Sequence, residues 1–291
     1  MTSLLLLLSA NAHAAIDEAC QDFVDDGGRQ FFESDEAQGN FMSNYFSLTT
    51  SYSGLHSAVP YEPGTGSIGA EVAGIPPLSC ERRLILGSTK TEDTNKTPVA
   101  PRLRLAFAMP KLGPAVVYGS VGYIPPVPFA GVRNVILSGE IGVGIPLESG
   151  LELGLRYHHT TLKTVGEIAT PFNEGDPAYP DIYLGSTLGA DALVSYRVGE
   201  SLEPYLAVGV MDASTFFLVG DTTHIQDNTQ PYVGMTTSLG LQARVMDKVD
   251  LAGEFYAALP PFSSEARDNG AGRVYTGRAR IAYVFGPSDE G

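Results

Sequence analysis

Residues 151–158 read Leu-Glu-Leu-Gly-Leu-Arg-Tyr-His, so large apolar side chains alternate with polar or small ones. Successive side chains of a β-strand point to opposite faces, so this stretch predicts a strand with one apolar face and one polar face. The alternation recurs in residues 232–246 and 273–285. Turn-forming residues separate such stretches from residue 44 onward, which is typical of an antiparallel sheet.

The composition supports a β-rich fold and excludes some functions. The 291 residues include 33 glycines and 20 prolines, which is too many for a mainly helical protein. The hydrophobic fraction of 43% is too high for a disordered chain. With 33 acidic and 18 basic side chains the net charge is -15, whereas a nucleic-acid partner requires clustered lysine and arginine. We therefore expect an acidic all-β protein that does not bind nucleic acid.

The connections between the alternating stretches differ in length in a regular way. Short connections at residues 110–114, 146–150, 199–202 and 247–248 alternate with longer ones at residues 89–100, 125–131, 164–180, 214–231 and 260–272. Counting back from Phe285, the expected strands are residues 44–57, 66–74, 83–88, 101–109, 115–124, 132–145, 151–162, 182–198, 203–213, 232–246, 249–259 and 273–285. The stretch 83–88 has the weakest pattern and is included partly because the count must be even.

Short turns on one side and long loops on the other are typical of a transmembrane β-barrel, in which closure pairs every main-chain group inside the bilayer. A soluble β-sandwich also alternates, but it hides its apolar face and usually lacks this asymmetry of loops. The opposite face here is rich in glycine and charge, which fits a watery lumen better than a packed core. We predict an all-β, antiparallel, up-and-down transmembrane β-barrel of about 12 strands, within a range of 10–14.

Both ends of the chain carry patterns of exported bacterial proteins. The apolar run Leu4–Leu8 followed by Ala12-His13-Ala14 is typical of a cleaved signal peptide. The ending Ile281-Ala282-Tyr283-Val284-Phe285 has an aromatic-x-aromatic pattern. With the alternation, these features resemble Gram-negative outer-membrane β-barrel proteins as a class, although six residues follow Phe285. The resemblance implies location in the outer membrane, contact with its lipids, and recognition by the barrel-assembly machinery. It leaves the oligomeric state open.

The expected organisation is a signal peptide at residues 1–14, an acidic N-terminal periplasmic segment at 15–43, the barrel at 44–286 and a C-terminal tail at 287–291. With the C-terminus in the periplasm, the short turns and the connection 75–81 lie there too. The chain has two cysteines, Cys20 and Cys80, which this arrangement places on the same side of the membrane. We predict a disulfide between them, with two free thiols as the alternative.

Charged residues on the polar face are candidates for lining the lumen. They are Arg102, Arg104, Glu140, Glu152, Arg156, His158, Asp191, Arg197, Arg244, Asp250, Glu254, Arg278 and Arg280. Pairing across the turns sets Glu140 opposite Arg156 and Arg244 opposite Asp250. Such a set either holds a narrow barrel shut or forms a constriction that selects small charged solutes. About 12 strands permit a small pore without requiring one.

The sequence contains no catalytic, metal-binding or phosphate-binding motif of the HExxH, GxSxG or P-loop type. We therefore expect no cofactor, no metal site and no enzymatic activity. The favoured function is a passive channel or transporter for small solutes, and the alternative is a structural or surface-interaction barrel with a blocked lumen. A third possibility is a lipid-modifying enzyme, in which His158 or His159 would act with Ser186 or Ser214. The two histidines are adjacent and point to opposite faces of their strand.

Overall fold

The protein is described by a computed structural model. It describes residues 35–85, 90–91, 98–110, 113–126, 128–129, 132–166, 170–171, 180–199, 201–219, 224–227, 231–264 and 273–286. The expected signal peptide, the acidic residues before Asp35 and the tail 287–291 lie outside these ranges, so those assignments stay predictions.

Ten antiparallel strands form a closed barrel. They are β1 (Gly66–Gly74), β2 (Val99–Ala108), β3 (Val116–Ile124), β4 (Val132–Pro146), β5 (Leu151–Gly166), β6 (Asp181–Tyr196), β7 (Leu202–Val219), β8 (Tyr232–Met246), β9 (Val249–Pro261) and β10 (Val274–Phe285). Each strand pairs with the next in sequence, and β1 pairs with β10 to close the ring. Short strands at Pro128–Phe129 and His224–Asp227 extend the sheet, while Leu84–Ile85, Lys90–Thr91 and Thr170–Pro171 form a small separate sheet.

The strand count of about twelve was therefore too high, and two predicted strands account for the difference. Residues 44–57 belong to a helix, α1 (Asp35–Thr50), and to the extended chain that follows it. Within the stretch 83–88, the described residues Leu84–Ile85 form a strand, but this strand belongs to the small separate sheet and not to the barrel. The helix is reflected in large residues spaced by four and three, the helical period: Phe41, Tyr45 and Leu48.

The outer surface of the barrel is an apolar band, as the alternation predicted. On β5, for example, Leu153, Leu155 and Tyr157 are between 46% and 63% exposed, while Glu152 and Arg156 between them are buried. Exposed apolar side chains also cover β2, β4 and β10. Within the described residues, no helix is both long and apolar enough to span a membrane.

The two ends of the barrel differ. Connections at residues 109–115, 147–150, 197–201 and 247–248 are short, and Phe285 lies at the same end, which we call the turn end. Gly150 has a positive φ of 81°, which glycine adopts without strain in a tight turn. The longer connections, at residues 75–98, 125–131, 167–180, 220–231 and 262–273, lie at the opposite end, which we call the loop end.

The connection 75–81 lies at the loop end because β1 begins at the turn end and ends at the loop end. Its expected position among the short turns was therefore wrong, since it followed from counting residues 83–88 as a strand of the barrel. Cys80 begins a short helix, α2 (Cys80–Arg83), in this connection. Cys20 lies outside the described residues, so the disulfide stays a prediction.

The glycines on the inner face make room for tyrosine rings. A side-chain carbon at Gly142 would collide with the ring of Tyr118, and one at Gly240 would collide with the ring of Tyr205. These tyrosines are buried. The glycine-rich face was interpreted as the wall of a watery lumen, but here it is one half of a close-packed interior.

Candidate functional site in the barrel lumen

The lumen of the barrel is filled by the chain that precedes β1. We call residues 35–61 the luminal segment; it consists of α1 and an extended part, residues 51–61. From residue 40 to residue 61 every side chain is buried except that of Phe46, which is half-buried. Residues 35–43 were expected to belong to a periplasmic segment and instead form the first half of α1, in contact with the barrel wall.

The luminal segment crosses the barrel from the loop end to the turn end. Residues in the middle of α1 contact the loop-end connection 75–98: Tyr45 donates a hydrogen bond to the carbonyl of Pro76, and the Arg82 guanidinium lies 5.6 Å from the centre of the Phe41 ring. After the segment, the Gly64 amide donates to the Ala108 carbonyl at the end of β2, 3.1 Å away. The chain then enters β1, so the segment occupies the lumen over the full height of β1 and β2.

Three arginines of the wall bind carbonyl groups at the C-terminal end of α1 and in the extended part just after it. Arg102 donates to the Thr50 carbonyl at 2.6 Å, and Arg278 donates to the Ser51 carbonyl at 3.0 Å. Arg104 donates to the carbonyls of Ser53, at 2.5 Å, and Gly54. The last carbonyls of a helix lack partners within the helix and carry a partial negative charge, so Arg102 and Arg278 stabilise its end, whereas Arg104 holds the extended part.

The extended part obtains its remaining main-chain partners from polar side chains of the wall. The amide of Tyr52 donates to Thr160 Oγ1, and that of Ala58 donates to Ser195 Oγ, both at 3.0 Å. The Ser57 amide donates to Gln242 Oε1 at 3.0 Å. An unpaired amide at this depth would be costly, and irregular backbone is tolerated in a membrane where protein surrounds it.

Glycines of the wall allow the luminal segment to approach closely. A side-chain carbon at Gly144 would collide with the carbonyl oxygen of Ala58, and one at Gly154 would lie 3.1 Å from the same oxygen. At Gly185 it would lie 2.5 Å from Ser47 Oγ. The wall and the segment are therefore complementary in shape as well as in hydrogen bonding.

Alternating charges follow the inner wall from β1 to β6. Glu71 forms ion pairs with Arg102 and Arg104, both at 2.6 Å. Glu140 lies 3.8 Å from Arg104 and 3.6 Å from Arg156, which also pairs with Asp191. The luminal segment joins this chain of charges through His56, whose Nε2 lies 3.1 Å from Glu140. Removing one member would leave a buried charge without its partner, which is strongly destabilising.

Most of the predicted lumen residues lie inside the barrel and are buried. These are Arg102, Arg104, Glu140, Glu152, Arg156, His158, Asp191, Asp250, Glu254, Arg278 and Arg280. The two others lie at the rim of the turn end: the side chains of Arg197 and Arg244 are 49% and 32% exposed. Arg197 bridges Glu152, at 2.7 Å, and Glu203, at 3.1 Å.

One of the two predicted cross-strand pairs was right. Arg244 lies directly opposite Asp250 and forms an ion pair with it. Glu140 lies opposite His158, not Arg156, so that prediction was wrong by two residues. The cause is the turn at residues 147–150, which joins Leu147 to Leu151 and so pairs Ile145 with Leu153.

Sequence reasoning missed Glu71 and the residues of the luminal segment. Glu71 stands between Ala70 and Val72, which alternation places on the outer face, so the pattern of β1 could have assigned it to the interior. Tyr52 and His56 lie in the extended part after α1, so the helical spacing of the preceding residues does not mark them. Their contacts with Ser120 and Glu140 depend on long-range folding and leave no local pattern.

A cleft of about 600 Å³ opens at the turn end. Val59, Pro60 and Tyr61 of the luminal segment line it, together with Arg197 and Asp250 of the wall. The lumen therefore has an open mouth at this end, bounded by the luminal segment.

A histidine and a serine form a hydrogen bond on the outside of the barrel. His159 Nε2 lies 3.0 Å from Ser186 Oγ, on the outer face of β5 and β6. His158 points inward, where its Nε2 lies 3.3 Å from Asp191. Ser214 also lies on the outer face and donates to Asp212 at 3.1 Å. Among the described residues, no group of His, Cys, Asp and Glu is arranged to hold a metal ion.

The closed antiparallel ring, its apolar outer band and its short turns at one end define the class of the protein: an all-β closed barrel, which resembles outer-membrane β-barrels. No family model and no curated protein matches the sequence. Solved structures of low similarity do match.

The translocator domain of the autotransporter NalP from Neisseria meningitidis is 8% identical with a TM-score of 0.43, over 77% of this chain and 89% of that one. An outer-membrane channel from Pseudomonas putida F1 is 11% identical with a TM-score of 0.40, over 77% and 97%. The N-terminal barrel domain of Pseudomonas aeruginosa OprF is 12% identical with a TM-score of 0.33, over 77% and 98%. Identities and TM-scores this low carry no information about the activity of this protein.

Proposed function

We propose that this protein is a bacterial outer-membrane barrel whose lumen is closed by its own luminal segment, and that it serves as a structural or surface-interaction barrel. The observation that carries the proposal is the set of hydrogen bonds between that segment and the wall, from Thr50 at the end of α1 to Ala58. A passive channel, which the sequence alone favoured, requires a free path for solutes. The luminal segment occupies that path.

The direction of the luminal segment suggests which parts face the cell surface. Outer-membrane barrels have short periplasmic turns and long extracellular loops, so the turn end faces the periplasm and the loop end faces outward. The segment starts at the loop end. In this proposal the chain before Asp35 therefore enters the barrel from outside, which reverses the periplasmic location expected for the acidic segment. In this proposal partners bind at the loop end.

Single-channel recording tests the closed lumen. The chain is inserted into planar bilayers, and folding is checked by the faster migration of the unboiled protein on SDS gels. We expect no stable conductance from the unmodified protein, and intermittent conductance from a variant with Arg104→Ser and Arg278→Ser, which loses contacts to the luminal segment. Arg197→Ser, at the exposed rim, is the matched control and should stay silent. A stable ohmic step from the unmodified protein would contradict the proposal and support the passive channel.

The orientation is tested with epitope tags. A tag between Gly27 and Gly28 should bind antibody on intact cells. A tag in the turn at residues 247–248 should bind only after the outer membrane is permeabilised. The opposite result would place the acidic segment in the periplasm.

A lipid-modifying enzyme is the second candidate, favoured by the hydrogen bond between His159 and Ser186. In that function His159 would accept the proton of Ser186 as its oxygen attacks a lipid ester. Hydrolysis of phospholipid in detergent micelles should then be lost in His159→Ala and kept in His158→Ala. Equal turnover in both variants, or none in the unmodified protein, excludes this function.

A further inference from the structure

The lipid-facing surface of β4, β5 and β6 contains an apolar groove of about 570 Å³. It is lined on the outer face by Ile141, Val143, Leu155, Tyr157, Ala190 and Ala192. The large apolar side chains of β4 and β5 project from the wall, and Leu155 is 63% exposed. The small side chains of the β6 alanines form the shallow edge of the groove. The groove crosses the three strands in two rows of outward residues and, in the proposed membrane setting, lies where lipid chains surround the barrel.

Two basic residues stand on the same strands, nearer the loop end. Arg133 of β4 and Lys163 of β5 are exposed and alternate with inward residues, so both face outward. In the register of the two strands, Val135 is opposite Lys163 and Arg133 is opposite Val165. Arg133 and Lys163 are therefore diagonal neighbours, close enough for long side chains to meet around one ligand.

These two cations have no counter-charge within the part of the chain that the structure describes. No ion pair joins either of them to a described carboxylate. The whole chain carries a net charge of -15, so a pair of neighbouring bases on its outer surface stands out. Like charges side by side repel each other, and an anion between them removes the repulsion.

The distance between the groove and the two basic residues, measured along the membrane normal, matches half the thickness of the hydrocarbon core of a bilayer. Lys163 follows Tyr157 by six residues, about 20 Å along a strand at about 3.3 Å per residue. With the usual strand tilt of about 40°, this is about 15 Å along the membrane normal, half of the hydrocarbon thickness of about 30 Å. With the two cations at the outer interface, this spacing puts the groove near the middle of the bilayer, one leaflet below them.

We propose that Arg133, Lys163 and this groove form a binding site for a phosphate-bearing lipid of the outer leaflet. The phosphate lies between the guanidinium and the ammonium group, where charge-assisted hydrogen bonds hold it, and an acyl chain lies in the groove. The site rests on the membrane setting of the proposed function but not on the closed lumen.

The experiment measures lipid binding to the full chain in detergent micelles by native mass spectrometry. Dioleoyl phosphatidate is the probe, and dioleoyl phosphatidylcholine, which has the same chains and no net charge, is the comparison. We expect phosphatidate to bind at least tenfold more tightly, and the preference to fall about tenfold in the variant with Arg133→Gln and Lys163→Gln. Arg273→Gln, another exposed base near the loop end, is the matched control and should retain the preference. Ala190→Leu, which fills the groove, should weaken both lipids.

Each outcome decides a separate point. Equal binding of phosphatidate by the double variant and the Arg273 control overturns the site. Equal binding of the two lipids to the unmodified protein shows an apolar surface that does not recognise phosphate, which also overturns it. Competition by millimolar inorganic phosphate as effective as that by the lipid shows a site for a free anion instead. Failure of the membrane setting is recognised separately, because the unboiled protein would then show no faster-migrating band.

Discussion

The helical and extended parts of the luminal segment satisfy their main-chain groups in different ways. In α1 these groups bond within the helix, and the wall supplies partners chiefly at its end, where arginines bind the carbonyls of Leu48 and Thr50. Residues 51–61 have no regular structure, and side chains such as Thr160 and Ser195 bond directly to their amides. The extended part therefore depends on individual wall residues, whereas α1 depends mainly on packing. Substitutions in the wall can test this difference.

The largest effect is expected from Arg104→Met. The change removes the bonds to Ser53 and Gly54 and leaves the buried carboxylate of Glu71 with one cation fewer. We expect a loss of about 3–5 kcal/mol in the free energy of unfolding, typical of breaking a buried ion pair. The measurement is the urea dependence of the faster-migrating band on unboiled gels.

Arg197→Met is the control for that substitution, because its side chain also forms two ion pairs but is 49% exposed. Exposed pairs contribute about 0–1 kcal/mol, so the urea midpoint should change little. Equal effects of the two substitutions would show that the extended part is not anchored by Arg104.

An intermediate effect is expected from Gly144→Ala. The added carbon collides with the Ala58 carbonyl, so the wall or the extended part must shift, at a cost of about 1–3 kcal/mol. Gly253→Ala is the matched control on β9, because nothing lies within 4 Å of the added carbon. If the urea midpoint falls equally in both variants, the effect comes from replacing a glycine within a strand and not from contact with the luminal segment.

Two substitutions that each remove one hydrogen bond separate the two parts most directly, and the smaller effect is expected in α1. Thr160→Val keeps the shape of the side chain but leaves the buried Tyr52 amide without its partner, which should cost about 1–3 kcal/mol. Ser47→Ala removes a bond between α1 and Tyr183, whose hydroxyl keeps the Ser43 carbonyl as a partner. Its cost should be lower, about 0.5–1.5 kcal/mol. If Ser47→Ala lowers the urea midpoint more than Thr160→Val, then α1 is the part that depends on specific wall contacts.

The barrel strands were predictable from sequence because each strand separates two environments. Residues 232–246 were predicted with the bounds of β8, and residues 273–285 match β10 to within one residue. Lipid on one side and protein on the other impose the alternation of two, so the inward position of Arg102 or Asp191 follows from parity. The offset of β4 against β5 was missed because it depends on the geometry of one four-residue turn.

The luminal segment was not predictable in the same way, because protein surrounds it on all sides. Without a lipid face, residues 44–57 carry no constraint to alternate, and their serines and threonines resemble those of a strand that faces the lumen. The packing of Tyr118 on Gly142 could not be predicted from sequence either, because the two residues lie on neighbouring strands. The interpretation of inner glycines as a sign of open space failed for this reason.

The path of the luminal segment also constrains the order of assembly. The segment leads into β1 through residues 62–65, and β1 pairs with β10, the last strand of the chain. With its side chains an α-helix is about 10–12 Å across, and drawing α1 into a finished ring would require its passage along a wall that already projects large tyrosines. Closing the seam between the first and last strands around a segment already in place avoids that passage. We therefore expect the luminal segment to be in place before the seam closes, and a chain lacking residues 35–61 to close its barrel more slowly as well as to lose the closure of its lumen.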